Sequence, residues 1–343
     1  MDTQDLIAFS GPAGYFLAIF ILLTTILRSL PWARLKQYKI GYLFVGLAAC
    51  SFIHTFYYIL VFYASSFAEY EARAGVLSPD MWKRITAWLS QASLFEEAWL
   101  KASVKRANWW WSEQICTYAI GPWTLFLFVE GQRHQIKHLW AYMLLGQLVA
   151  VAVPANLFYL ALVLSGRKFR YEYWKHQPIA QKAPPVLWIS ILLSLMTVVY
   201  LPYTNSNTFL PNLLLMHALI VIPFLIASGV NGTGPFAISY NKFYIILVSV
   251  ISGLRGATTW GAVVGAEGFA GIVSALHSHP GQATIGWDVI WSTTSFIVWT
   301  CLDQGVSKAP FSAVFLSAGV ASSWVSCMVA GGEEVYAEFG RRQ

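Results

Sequence analysis

Charge is scarce in this chain. Asp, Glu, Lys and Arg make up 11% of its 343 residues, against about 25% in a soluble domain. With 57% of the residues hydrophobic, there is too little polar material to cover a water-facing surface, and the composition is that of an integral membrane protein. Cysteine is scarce too. The four present, Cys50, Cys116, Cys301 and Cys327, sit in apolar segments without CxxC spacing. That pattern excludes a disulfide framework or a cysteine metal site, and they read as buried free thiols. Common catalytic signatures are also missing. There is no DDxxD-like cluster to hold Mg²⁺ on a diphosphate, and no DxDD, HExxH, GxGxxG or P-loop pattern. Diphosphate ionisation and redox chemistry have no visible apparatus, so no cofactor and no metal are expected. The net charge of +6 is spread over loops, which suits juxtamembrane anchoring better than nucleic-acid binding. No internal repeat or low-complexity tract appears.

What the chain has in abundance is apolar length and aromatic rings. Aromatics reach 16%, with 16 tryptophans, more than interfacial belts alone require. A bilayer needs about 20 apolar residues per helix. The spans read as Leu6–Leu27, Ile40–Ala64, Asn108–Phe128, Leu139–Leu164, Val186–Tyr203, Phe209–Gly229, Ile285–Leu302 and Pro310–Ala330. The expected fold is therefore all-α: a polytopic bundle of about eight transmembrane helices with added interfacial amphipathic helices. Residues 1–343 form one membrane-embedded domain in this reading. Gly11-Pro12 and Pro154 are candidate kinks, and the first span is too long for a cleaved signal peptide. Residues 79–106 place Trp82, Ile85, Leu89, Ala92, Phe95 and Trp99 at helical spacing opposite Lys83, Arg84, Glu97, Lys101 and Lys105. That is an amphipathic helix lying in the interface. Residues 236–277 hold either an interfacial helix or one more span.

A carboxylate costs roughly 2.5–3.5 kcal/mol at the centre of a spanning helix, so the acids in and beside the spans are candidates for chemistry. They are Glu113, Glu130, Asp288 and Asp303, with Glu96 and Glu267 in the interfacial stretches. Glu113 and Asp288 each stand near the start of a span and share one membrane side; Glu130 and Asp303 share the other. Asp288, Trp291, Ser295, Trp299 and Asp303 fall on one helical face. Trp109 and Trp110 lie one turn from Glu113, and the Trp109–Trp111 run reads as a belt just outside it. Carboxylates among indoles are the environment of a desolvated acid, and indole faces stabilise cations. Glu130 has Arg133 as a ready partner. His54 and His217 lie on apolar faces, where histidine is more often a packing residue than a ligand.

"WWWSEQ", the block from Glu130 to Leu164 and "GWDVIWSTTSFIVW" resemble the integral membrane terpene cyclases of fungal meroterpenoid pathways. The resemblance is to the eight-helix group of ascochlorin, ascofuranone and macrophorin pathways more than to the shorter pyripyropene and indole-diterpene cyclases. It covers roughly residues 80–165 and 283–303, and the remainder by hydropathy. It implies proton-initiated cyclisation of a prenylated aromatic, often at a terminal epoxide, by membrane-embedded carboxylates, without diphosphate or metal. One acid then comes from an early helix and one from the last shared helix. Asp288 matches the second, and Glu113 and Glu96 both remain open for the first. The expected catalytic set is Glu113, Asp288, Asp303 and Glu96, with Trp109, Trp110, Trp291 and Trp299 lining the path of the cation. The expected partners are a lipophilic prenylated aromatic substrate and membrane lipid, with no nucleic acid and no obligate protein partner, in the endoplasmic reticulum. Two other readings stand beside it: a sterol-isomerase-like or emopamil-binding-like membrane enzyme, and a transporter or receptor.

Overall fold

The structure, a computed structural model, describes residues 3–75, 78–166, 182–226, 232, 234–265 and 268–304, apart from the side chains at 3–7, 241, 300, 303 and 304. The described chain is predominantly helical. In order it runs α1 (Thr3–Ser29), α2 (Gly41–Ala74), α3 (Met81–Gln91), α4 (Leu94–Ser103) and α5 (Arg106–Tyr118). A single π-turn (Ala119–Trp123) then leads into α6 (Thr124–Arg133), α7 (Leu139–Leu148) and α8 (Ala152–Leu164). After these come α9 (Pro185–Tyr200), α10 (Phe209–Ile226), α11 (Tyr240–Gly265), α12 (Phe269–Ala275) and α13 (Pro280–Gln304). Two short strands, Lys182–Ala183 and Ile238–Ser239, pair antiparallel, with Lys182 opposite Ser239.

Five helices are long and apolar enough to cross a membrane: Ala8–Ser29, Gly41–Ala74, Pro185–Tyr203, Phe209–Ile226 and Lys242–Gly265. The last lies in the stretch 236–277, which holds the long helix α11 and the short helix α12. The expected span Pro310–Ala330 lies outside the described residues. The remaining expected spans fall on helices that are interrupted or more polar, and α5 is the centre of the bundle. Every residue from Asn108 to Tyr118 is buried, against α4, α9, α11, α12 and α13. Trp109, Trp110 and Trp111 are therefore not an interfacial belt. Their rings are buried inside the protein, and the Trp111 indole N–H donates to the Ile272 carbonyl on α12 at 2.9 Å. Lipid tails are as apolar as leucine, so packing and polar contacts between helices, rather than water exclusion, must hold the bundle.

Three expected segments are cut where the sequence suggested continuity. The amphipathic stretch 79–106 breaks into α3 and α4 at Ala92–Ser93. Glu97 draws the Ser93 N–H onto its carboxylate (3.2 Å) and accepts from Ser66 of α2 (2.9 Å), starting a new helix there. The 108–128 segment widens at the π-turn, where Pro122 has no N–H to give and both the backbone N–H and the hydroxyl of Thr124 reach back to the Ala119 carbonyl, the hydroxyl at 2.7 Å. At Gly121 in that turn, an added Cβ would stand 2.8 Å from the Ile251 side chain of α11. Leu139–Leu164 is two helices rather than one kinked at Pro154. Pro154 sits in the first turn of α8, where its missing N–H costs nothing, and the break lies at Val149–Val151. Among the cysteines, Cys116 is buried and unpaired as expected, but Cys50 is exposed on α2.

Candidate functional site

A cavity of about 860 Å³ lies among α1, α2, α4, α5, α7, α10 and α13, within the roughly 300–1,000 Å³ typical of small-molecule sites. Tyr15, Phe62, Tyr63, Phe95 and Trp99 supply aromatic wall, and the π-turn contributes Ala119 and Ile120. Ser10, Ser90 and Phe95 line it and are also exposed. They lie where α1 approaches the α3–α4 turn, so the mouth is on that side. Among the described residues, Asp288 is the one carboxylate in the wall, and His217 is its one imidazole.

Asp288 is held by the helix break. Its Oδ2 accepts the Val151 N–H at 2.8 Å, and its Oδ1 accepts the Ala152 N–H at 2.9 Å. The Ser292 hydroxyl, one turn along α13, donates to Oδ1 at 3.1 Å. The first N–H groups of a helix have no partner within it and must find one; here the carboxylate of another helix serves the start of α8. On the other side of the break, the Tyr15 hydroxyl donates to the Leu148 carbonyl at 2.7 Å. Non-helical backbone at membrane depth is tolerated only when buried and satisfied in this way. The sequence put Asp288 at the start of its own helix, but α13 begins at Pro280. Two turns in, Asp288 serves the dipole of α8 rather than of α13.

His217 stands in the wall from α10. Its Nδ1 donates to the Leu213 carbonyl at 2.7 Å. The ring meets Phe95 and Trp99 edge-to-face, with centroids 5.8 and 5.9 Å away. Gln147 of α7 donates to the His217 carbonyl at 3.2 Å.

Of the other expected site residues whose side chains are described, none is in the cavity wall. Glu113 is buried on the face of α5 toward α11, where the Arg255 guanidinium pairs with it. Arg255 also donates to the Trp110 carbonyl (3.1 Å) and sits 5.0 Å from the Trp110 ring centroid. The indole N–H of Trp110 in turn donates to Thr259 (3.1 Å). Glu113 and Trp110 thus form an interhelical joint, away from Asp288's cavity, because the one buried cation of α11 claims the carboxylate. Trp109 is buried on the same helix without lining the cavity. Glu96 is half-buried in the first turn of α4, beside the lining residues Phe95 and Ala98 but not among them. Trp291 donates its indole N–H to His54 Nδ1 (2.8 Å), and Trp299 stacks on Tyr159 (5.0 Å, 10°) next to Phe44. Both act in helix packing. The Asp303 side chain lies outside the described residues. Glu130 pairs with Arg133 at 2.9 Å, as the spacing implied, and also with His134 at 3.3 Å.

Two of the five aromatic wall residues, Phe95 and Trp99, belong to the amphipathic stretch 79–106. Tyr15, Tyr63, Gln147 and His217 carried no local signal, since they converge only through tertiary packing of four helices. Phe95 and Trp99 had been placed on the apolar face of the 79–106 stretch, and that face is the one turned to the cavity. No protein-family profile, curated protein or solved structure matches the chain.

Proposed function

We propose that this protein is a membrane-bound terpene cyclase that folds and closes the prenyl chain of a lipophilic aromatic substrate, starting by protonation of a terminal epoxide. The observation that carries this is a carboxyl group, fixed by three donors, in the wall of an otherwise apolar and aromatic cavity of suitable volume. The sequence resemblance points to the same chemistry. The eight-span arrangement, with α5–α6, α7–α8 and α13 crossing as the protein-facing interior, and residence in the endoplasmic reticulum belong to this proposal.

In the proposed reaction Asp288 binds a proton on the free position of Oδ2 and delivers it to the epoxide oxygen. As the proton leaves, negative charge grows on a carboxylate already faced by the Val151 and Ala152 N–H groups and the Ser292 hydroxyl. Donors placed where charge develops lower the barrier without having to reorganise. The C–O bond breaks, and the carbon cation is attacked by the next alkene while the Asp288 anion and the ring faces of the wall stabilise it. Water is kept out by the apolar wall, which protects the cation from capture.

The direct test is to supply membranes containing the protein with an epoxyfarnesyl phenol. A cyclic product of unchanged mass is expected, formed without NAD(P)H and undiminished by EDTA; loss of conversion on chelation, restored by Mg²⁺, would overturn the mechanism. Trp99, rather than Trp291, is the indole that faces the cavity. A desolvated cation–π contact is worth about 2 kcal/mol, so Trp99→Leu should divert the majority of product to water-captured, less cyclised alcohols. Trp291→Leu should leave the product pattern unchanged.

One observation favours a transporter. Broken helices such as α7–α8 are what transporters use to hold substrates. Here, however, the freed N–H groups of α8 are already occupied by Asp288, and no repeat accompanies the break. A sterol-isomerase-like enzyme would use the same acid, and substrate conversion separates the two.

A further inference from the structure

The cavity holds a second proton-transfer group that the steps above leave idle. His217 Nδ1 faces the Leu213 carbonyl at 2.7 Å. A carbonyl oxygen only accepts, so in the neutral imidazole the hydrogen is on Nδ1 and the basic lone pair is on Nε2. Nε2 is the ring nitrogen that the Leu213 carbonyl does not engage, on an imidazole that packs edge-to-face with Phe95 and Trp99 and lines the cavity with them. The backbone carbonyl of His217 accepts from Gln147, another wall residue. The tautomer and the ring orientation are therefore both set, which is the arrangement a general base requires.

Resting on the cyclase reading, we propose that His217 is the base that ends the reaction. Cyclisation leaves a last carbocation, and an alkene forms when a neighbouring carbon gives up hydrogen. The C–H bond breaks, its electron pair becomes the new C=C bond, and the proton passes to His217 Nε2. Asp288 is then an anion and His217 a cation. One proton moving from the imidazolium to the carboxylate through water, once the product has left, restores both groups. A base on α10 and an acid on α13 serve different ends of the chain. The first cation forms beside Asp288 and survives, and the last is quenched where it meets His217. The position of the product alkene is thus assigned to His217, and the initiation step to Asp288.

The test uses the full chain in membranes with an epoxyfarnesyl phenol. His217→Phe keeps a ring against Phe95 and Trp99 but removes the base. Epoxide consumption should persist, while the wild-type alkene falls about tenfold or more as a share of product, replaced by alcohols and alkene isomers, in line with the size of general-base effects. In His217→Ala, added imidazole should restore the wild-type alkene. A structural role alone would not give that rescue. An unchanged alkene in both variants overturns the proposal. Failure of the cyclase reading itself would appear as no epoxide consumption by the wild type. In that event carbethoxylation of His217 by diethyl pyrocarbonate, read by peptide mass, still decides the point. Shielding by an unepoxidised farnesyl phenol keeps His217 as the reactive base facing the cavity's ligand, and no shielding removes it.

Discussion

Asp288→Asn should lower turnover of an epoxyfarnesyl phenol by about 10²-fold or more, the lower end of general-acid effects. The amide cannot give up a proton, and it cannot satisfy the two backbone donors as the carboxylate does. Val151 and Ala152 each present an N–H to a different oxygen of Asp288. In asparagine one of those oxygens becomes an NH₂, so donor meets donor. Leaving one buried N–H unsatisfied costs about 1–3 kcal/mol, and the variant should also melt earlier. Rate must therefore be measured per folded molecule, using size-exclusion recovery and a thermal aggregation curve. Ser292→Ala separates the effects, because it removes a donor from Oδ1 without touching the start of α8. It should weaken catalysis by about tenfold or somewhat more, the lower end of what one hydrogen bond to a charged group is worth. Full turnover in folded Asp288→Asn would leave Asp288 as a clamp for α8 and nothing more.

The second large effect is expected at the joint between α5 and α11. Removing one partner of a buried ion pair leaves the other charged and unpaired, which costs about 3–5 kcal/mol. Arg255→Met should therefore strip the bundle of much of its stability, seen as early aggregation on heating in detergent. Replacing both partners, as Glu113→Met with Arg255→Met, should recover most of the loss, since an apolar pair of similar volume is often as stable as the ions. Turnover should recover with it. A double variant that is stable but inactive would return Glu113 to the chemistry and overturn its placement as a structural partner.

How far the sequence could be read depended on which face each residue served. Membrane character and the long lipid-facing helices α1, α2, α9 and α10 were legible, because lipid contact demands apolar residues along the whole span. The interior helices were harder. α5 is polar in sequence because its neighbours, not lipid, surround it, and intramembrane polar residues face the bundle interior. The Trp109–Trp111 run looked interfacial for the same reason: an indole suits both a headgroup layer and a protein interior with a carbonyl to bond. Asp288 was legible as an acid at membrane depth, but its partner was not. The break at Val149–Val151 carries no glycine and no capping side chain of its own, and its cap comes from 136 or more residues away. The ion-pair partner of Glu113 was not legible either, because Arg255 lies in the 236–277 stretch, whose membrane crossing the sequence left open. His217 was indistinguishable from a packing histidine in one dimension.

The buried arginine of α11 also bears on how this protein is made. An arginine at the centre of a spanning helix costs about 2.5–3.5 kcal/mol during insertion, and Lys242–Gly265 is the least hydropathic of the five long apolar helices. Its counter-charge, Glu113, is synthesised more than a hundred residues earlier. In the proposed eight-span arrangement the early helix carries an unsatisfied acid into the bilayer during synthesis, and the late helix carries an unsatisfied base. Each is a poor membrane segment alone and a good one once the two have met. Biogenesis thus has an order written into it. In that arrangement α5 is expected to stay open to α11 until α11 emerges, and a chain truncated before residue 255 should be recognised by quality control as an orphan with an exposed intramembrane charge.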